Sequence, residues 1–233
     1  EHFDQIFNSA KKMDWLKNNQ TVEHVNFGIM KGADNKRMAS RNGDNPKLLD
    51  LLEQSINETK LIFSKMNRDN IDNDIITNIA YGSIKYADLS LNRTSDYVFS
   101  FEKMLKFEGN TLSYIMFAFV RINSIIENVR KLKPSISNRI DKNELSDYDY
   151  NLLKYLMKLP EIIDDAKNKS MPSFICNFIY ELAKMIHSSY KKMICVDIKN
   201  DKLNQTRYTI FVLTTNIFKL CFNLLGINTV NKM

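Results

Sequence analysis

The chain has 233 residues, enough to bury a sizeable core in one or two domains. Its hydrophobic content of 44%, with only 6 Gly and 4 Pro, argues against a sandwich or barrel and predicts a globular, mostly α protein. The net charge of +6 is uneven: residues 106–233 carry 19 Lys and Arg against 12 Asp and Glu, whereas residues 1–105 carry 14 against 15, so a polyanionic partner, nucleic acid first, is expected for the second half.

In chain order, "HFDQIFNSAKKMDWL" places Phe3, Ile6, Phe7 and Ala10 at helical spacing and predicts an amphipathic helix. "TVEHVNFGIM" is rich in β-branched and aromatic residues and predicts a strand. The polar loop "KGADNKRMASRNGDN" follows, and Asn45 with Pro46 suits the N-cap and first turn of the helix "PKLLDLLEQSINETKLIFSKM". Helix, strand, basic loop and helix in that order make the tail of an α/β unit, in which ligands bind at strand ends. "DNDIITNIAYGSIKY" carries Ile75, Ile76, Ile79 and Ile84 on one side of a helix. "GSIKYADLSLNRTSDYVFSF", Gly82 to Phe101, starts helical, breaks, and resumes as alternating aromatics, so the residues alone make it an irregular aromatic junction before a helix bundle.

The bundle is expected over about residues 108–233. In "NTLSYIMFAFVRINSIIENVRKL" the stripe Leu112, Ile115, Met116, Phe119, Ile122, Ile125, Ile126 and Val129 is a core face. A second stripe, Tyr114, Phe117, Arg121, Ser124 and Asn128, places two aromatics and an arginine where charged residues are usual. Two readings stand: these rings pack against a neighbouring helix, or they stack on unpaired RNA bases beside a cation for the phosphates. The residues by themselves favour packing. Ser146 and Asp149 have capping-box spacing, and "MPSFICNFIYELAKMIHSSY" puts Phe174, Ile175, Phe178, Ile179, Leu182 and Ile186 on one face. The last helix, "QTRYTIFVLTTNIFKLCFNLL", should stop at Gly226.

Cys176, Cys195 and Cys221 are distant and odd in number, which predicts neither a disulfide framework nor a zinc cluster but a reducing compartment. His2, His24 and His187 show no metal-ligand spacing and read as structural. No apolar run reaches about 18 residues, so no membrane span is expected. A first residue Glu1 in place of Met predicts a fragment or a processed product.

Several segments together resemble class I arginyl-tRNA synthetases of the eukaryotic cytosolic type. The most specific is "AYGSIKYADLSLNRTSDYVFSFEKMLKFEGNTLSYIMFAFVRINSI", similar to the run that joins that family's catalytic and anticodon-binding domains. "HFDQIFNSAKKMDWL" is similar to a helix near the end of the catalytic fold, "GADNKRMASRNGDNPKLLDLL" sits where the family has its signature loop, and "LLGINTVNKM" resembles its terminal helix and tail. The resemblance covers essentially the whole chain. It implies the C-terminal remnant of a class I Rossmann-like catalytic domain, residues 1–105, followed by an α-helical anticodon-binding bundle, residues 106–233.

The implied activity is ATP-dependent attachment of arginine to its tRNA in the cytoplasm, with ATP as the Mg2+ complex, arginine and tRNA(Arg) as partners, and a monomer away from membranes. By resemblance, Lys36, Arg37, Ser40 and Arg41 are the catalytic candidates, cations and a hydroxyl for the leaving pyrophosphate. Met38 is expected near the adenine and His2 beside the nucleotide. Ala39 stands where relatives usually have a lysine. Tyr114, Phe117 and Arg121 are implied to contact anticodon bases, Tyr190 to stack on them, and Met233 to close against the loop. Ile194 replaces an aromatic that relatives can have. No "HIGH"-type element occurs in the sequence. The chain by itself is therefore expected not to activate arginine; the alternatives are a non-catalytic tRNA-anticodon-binding module and, more remotely, a helical interaction scaffold.

Overall fold

In the computed structural model, the described residues are 1–32, 48–68, 70–189 and 200–233. Their elements run α1 (His2–Lys12), β1 (Met30–Lys31), α2 (Leu48–Lys65), α3 (Asn73–Leu89), β2 (Tyr97–Val98), α4 (Phe101–Met104), α5 (Leu112–Leu132), α6 (Asp147–Leu156), α7 (Leu159–Asn168), α8 (Ser173–Ser189) and α9 (Asp201–Leu224). A 3-10 turn at Lys142–Glu144 precedes α6.

Side-chain caps set many of these limits by satisfying amides that the first helical turn leaves free. Asp72 caps α3, Thr111 caps α5, and Asn200 caps α9 through the Leu203 amide. Ser146 and Asp149 form the expected reciprocal capping box on α6. Asp149 is fully buried, and Arg207 of α9 lies 3.7 Å from its carboxylate. After α9, Gly226 adopts φ +64°, and the amides of Gly226 and Ile227 return to the carbonyls of Asn223 and Phe222. That left-handed cap is the stop expected at this glycine.

The core forms around α5, which packs against α3, α8 and α9. Leu112, Ile115, Met116, Phe119 and Ile122 are fully buried, and Phe119 meets Phe218 and Phe222 of α9 edge-on at 6.3 and 5.9 Å. Each such side chain taken out of water contributes about 1.5–3 kcal/mol. By length and composition α5 is apolar enough to cross a membrane, which the sequence reading did not expect. Here its apolar stripe faces the other core helices.

The same core crosses residue 105. Phe63 of α2 and Ile76, Ile79 and Tyr86 of α3 join it, as do Ile227 and Val230 of the tail. Tyr86 donates its hydroxyl to the carbonyl of Cys176 at 3.0 Å and also bonds Asn110. The tail is strapped to α3: the Lys85 ammonium donates to the Gly226 carbonyl, and Asn228 donates to Asn78. Cys176 and Cys221 are free thiols in this core, and burial pushes both up to about 12, so they act as apolar filler and not as nucleophiles.

The N-terminal region departs from expectation. The strand expected over residues 21–30 is reduced to Met30–Lys31, paired parallel with Tyr97–Val98, while residues 21–29 are irregular. A strand is defined by partners for its amides and carbonyls, and β2 offers only two residues. The α1 helix forms as expected, yet none of its residues is buried. Phe3, Ile6 and Met13 are exposed, and nearby Trp15 and Phe27 reach 73% and 83% exposure.

Candidate nucleic-acid interface

Residues 114, 117 and 121 are three and four apart, so one face of α5 carries Tyr114, Phe117 and Arg121 beside the buried stripe. All three are half-buried, neither sunk in the core nor free of it. The neighbouring helix α8 supplies Tyr180, Lys184 and His187 from the edge of its buried face, with Tyr180 and His187 half-buried and Lys184 exposed. The Tyr114 ring lies 5.7 Å from Tyr180 and 4.5 Å from His187, and Phe117 lies 6.0 Å from His187. The Arg121 guanidinium sits 4.2 Å above the Phe117 ring, a cation–π contact that favours a flat, ring-parallel placement of the charge.

His187 holds the two helices together at this point. Its Nε2 is 3.1 Å from the Tyr114 carbonyl oxygen, and its Nδ1 is 3.5 Å from an Arg121 amino nitrogen. A carbonyl only accepts and a guanidinium only donates, so the imidazole carries its proton on Nε2 and accepts on Nδ1. Burial holds its pKa below the usual histidine value; the Tyr114 bond acts the other way, and the Arg121 charge adds to the lowering. Neutral imidazole is thus the form that fits. Lys184 lies 5.4 Å over the Tyr180 ring and bonds both oxygens of Glu181 at 2.9 Å, and the Glu181 bond raises its pKa. Burial raises the Tyr114 pKa, so its phenol stays protonated.

The result is a shelf of three rings, an imidazole and two cations, with the Glu181 carboxylate bonded to Lys184. Such a surface offers π faces to a base and positive charge to its phosphates. The rings do pack on a neighbouring helix, and they also keep part of their surface in solvent. The two readings of the α5 stripe are therefore compatible. Sequence reasoning missed Tyr180, Lys184 and the bridging role of His187. Their spacing of four and three residues along α8 was the available signal.

Of the other expected positions, Lys36, Arg37, Met38, Ser40, Arg41 and Tyr190, with the departures Ala39 and Ile194, lie outside the described residues. His2 is exposed at the start of α1, edge-on to Phe3 at 6.0 Å. Met233 packs against the outside of the core at the end of the tail.

The junction segment is tied to the β1 region residue by residue. The Gly28 amide donates to the Arg93 carbonyl at 2.7 Å, the Ile29 amide donates to Asp96 Oδ1 at 2.8 Å, and Lys31 pairs with Asp96 Oδ2 at 2.9 Å. A Cβ on residue 28 would lie 2.1 Å from the Ser95 carbonyl oxygen, so only glycine permits this approach.

Family models match in two consecutive stretches. Residues 1–101 match "tRNA synthetases class I (R), catalytic domain", and residues 115–233 match "DALR anticodon binding domain". Among curated proteins, the arginine–tRNA ligase of Crocosphaera subtropica is 34% identical over 240 residues, covering 100% of this chain and 41% of the relative. That of Shewanella putrefaciens is 36% identical over 237 residues, covering 100% and 40%. The chain thus spans about two fifths of the length of the curated relatives it matches. Those relatives are bacterial and do not carry the eukaryotic cytosolic subtype. Among solved structures, arginyl-tRNA synthetase from Plasmodium falciparum superposes with TM-score 0.78 at 28% identity, over 100% of this chain and 39% of that one. The Thermus thermophilus arginyl-tRNA synthetase gives 0.79 at 19% identity over 90% and 35%, a likeness of fold alone.

Proposed function

We propose, because the chain belongs to the class I arginyl-tRNA synthetase family as a C-terminal portion, that it receives the anticodon loop of an arginine tRNA on the α5–α8 shelf. The observation that carries this reading is the half-exposed set of Tyr114, Phe117 and Arg121, with the guanidinium laid over a ring. Unpaired bases are recognised by stacking on aromatic and guanidinium planes, and an anticodon loop presents such bases at the end of a charged stem. The excess of positive charge in residues 106–233 supports the same reading, since phosphate contacts supply much of the affinity for RNA. By the family resemblance, Tyr190 and Met233 are proposed as further tRNA contacts.

The proposed division places the end of the catalytic domain in residues 1–105 and the anticodon-binding bundle in residues 106–233. In the complete enzyme, arginine's carboxylate attacks the α-phosphorus of ATP, giving arginyl-adenylate and pyrophosphate. The terminal ribose hydroxyl of the tRNA then attacks the adenylate carbonyl, forming the arginyl ester and releasing AMP. Magnesium belongs to the ATP substrate, carried on its phosphates. Lys36, Arg37, Ser40 and Arg41 are proposed to neutralise the leaving pyrophosphate, with Met38 and His2 near the nucleotide. The working form is proposed to be a cytoplasmic monomer.

Titration of tRNA(Arg) with the chain tests the proposal. Tyr114→Ala and Tyr190→Ala should each weaken binding by about 1–3 kcal/mol, the range for loss of a base stack. Unchanged affinity in variants that melt like the parent would remove the assignment.

A further inference from the structure

Arg93 lies in the junction segment and reaches in two directions at once. Its Nε donates to the backbone carbonyl of Ser170 at 2.9 Å, and one of its amino groups donates to Asn26 Oδ1 at 3.2 Å. Its own carbonyl accepts from the Gly28 amide. Ser170 is in the turn between α7 and α8, inside the helical bundle, whereas Asn26 and Gly28 lead into β1. One side chain therefore ties the sheet end of the molecule to the bundle, across 67 residues on one side and 77 on the other.

The acceptor on the bundle side lies in a turn whose own backbone bonds fix its geometry. Ser170 has φ +49°, a left-handed conformation that a non-glycine residue adopts at a cost. The Ser170 and Met171 amides bond back to Lys167 and Ala166, as in a helix-terminating turn. A planar guanidinium holds several donors in a fixed fork, so it can serve two acceptors at a set angle; a lysine ammonium on a flexible stem cannot reproduce that geometry. Near Arg93, a cavity of about 240 Å³ is lined by Phe27, Gly28, Asp88, Tyr97 and Pro172. The shared core already holds α3 against the bundle. Beside this cleft the Arg93 bonds add a polar tie from the bundle to the β1 lead-in, whose described residues contribute none to that core.

We infer that Arg93 is a positioning residue: it fixes the β1 lead-in, the stretch of the catalytic-domain end that lies outside the shared core, against the anticodon-binding bundle. Its consequence for tRNA charging rests on the function proposed above. A tRNA gripped at its anticodon reaches the reacting centre only if the two parts are correctly oriented. Loss of Arg93 should therefore lower turnover and leave anticodon affinity in place.

Two measurements separate these claims. In the chain itself, nitroxide labels on Glu23→Cys and Lys167→Cys, in a Cys195→Ser background, report the distance between the β1 lead-in and α7. A narrow distance distribution is expected, broadened by Arg93→Ala and partly broadened by Arg93→Lys; an unchanged distribution in Arg93→Ala overturns the inference, whatever the chain does with tRNA. In the intact ligase that carries this segment, Arg93→Ala should reduce kcat for tRNA charging by between about 10- and 100-fold, the scale of a small misplacement. KM and Kd for tRNA(Arg) should stay within about twofold, since the contacts that hold the RNA are untouched. A Kd that rises in step with the fall in kcat contradicts a positioning role. Absence of tRNA binding by the parent chain would count against the proposed function and leave the distance measurement standing.

Discussion

Asp96 holds two segments with one carboxylate. The Ile29 amide donates to one oxygen and Lys31 pairs with the other, and these contacts, the backbone bond first, hold its carboxyl below the usual carboxylate range. A pKa lowered by folding means that the ionised form is favoured in the native chain. Its contribution is complete above the unfolded-state value and is lost as pH falls through the lower, folded value. We expect the Ile29 amide resonance to show an inflection below the ordinary carboxylate range in an NMR pH titration. Asp96→Asn should abolish that inflection, and its persistence in the variant would assign it to another group. Neither Asp96 nor Arg93 was legible as a tie. A short run of polar residues between a helix and aromatics has the composition of a solvated turn. The partners Asn26, Ile29 and Lys31 are distant in sequence, with no periodicity to announce them.

At the scale of elements, α5, α8 and α9 were legible because a helix writes its buried face at intervals of three and four residues. Phe119, Ile179 and Ile186 sit where that spacing puts them. The caps at Ser146 and Gly226 were legible for a local reason, since their partners are within a few residues. The strand over residues 21–30 was overread because β pairing depends on a neighbour, and the composition of one strand does not reveal its partner's length. Gly82 was read only as part of a helix, yet it is the point where α3 meets α5 and the tail. A Cβ there would lie 2.6 Å from Leu112 Cδ2 and 3.3 Å from Ile227 Cγ2, and Leu112 is fully buried, with little room to turn away. Gly82→Val should therefore destabilise the chain by about 1–3 kcal/mol through overpacking. Denaturant unfolding would register this as a lower midpoint at unchanged slope; an unshifted midpoint would mean that the three elements separate at little cost.

Across the whole molecule, the proposed boundary near residue 105 divides the sequence more sharply than it divides the packing. The hydrophobic core runs from Phe63 and Tyr86 through α5 to Val230, and the tail is bonded to α3. That continuity would let a load at the bundle be felt in the junction. The shelf was half-legible: the steps from Tyr114 to Arg121 revealed the α5 face, but which helix would oppose it is a tertiary fact. The most direct test of the shelf's role is a chemical footprint of tRNA(Arg) saturated with the chain. Protection of the anticodon-loop bases is predicted, and its loss in Tyr114→Ala at the same occupancy. An anticodon loop as reactive in the complex as in free RNA would contradict it.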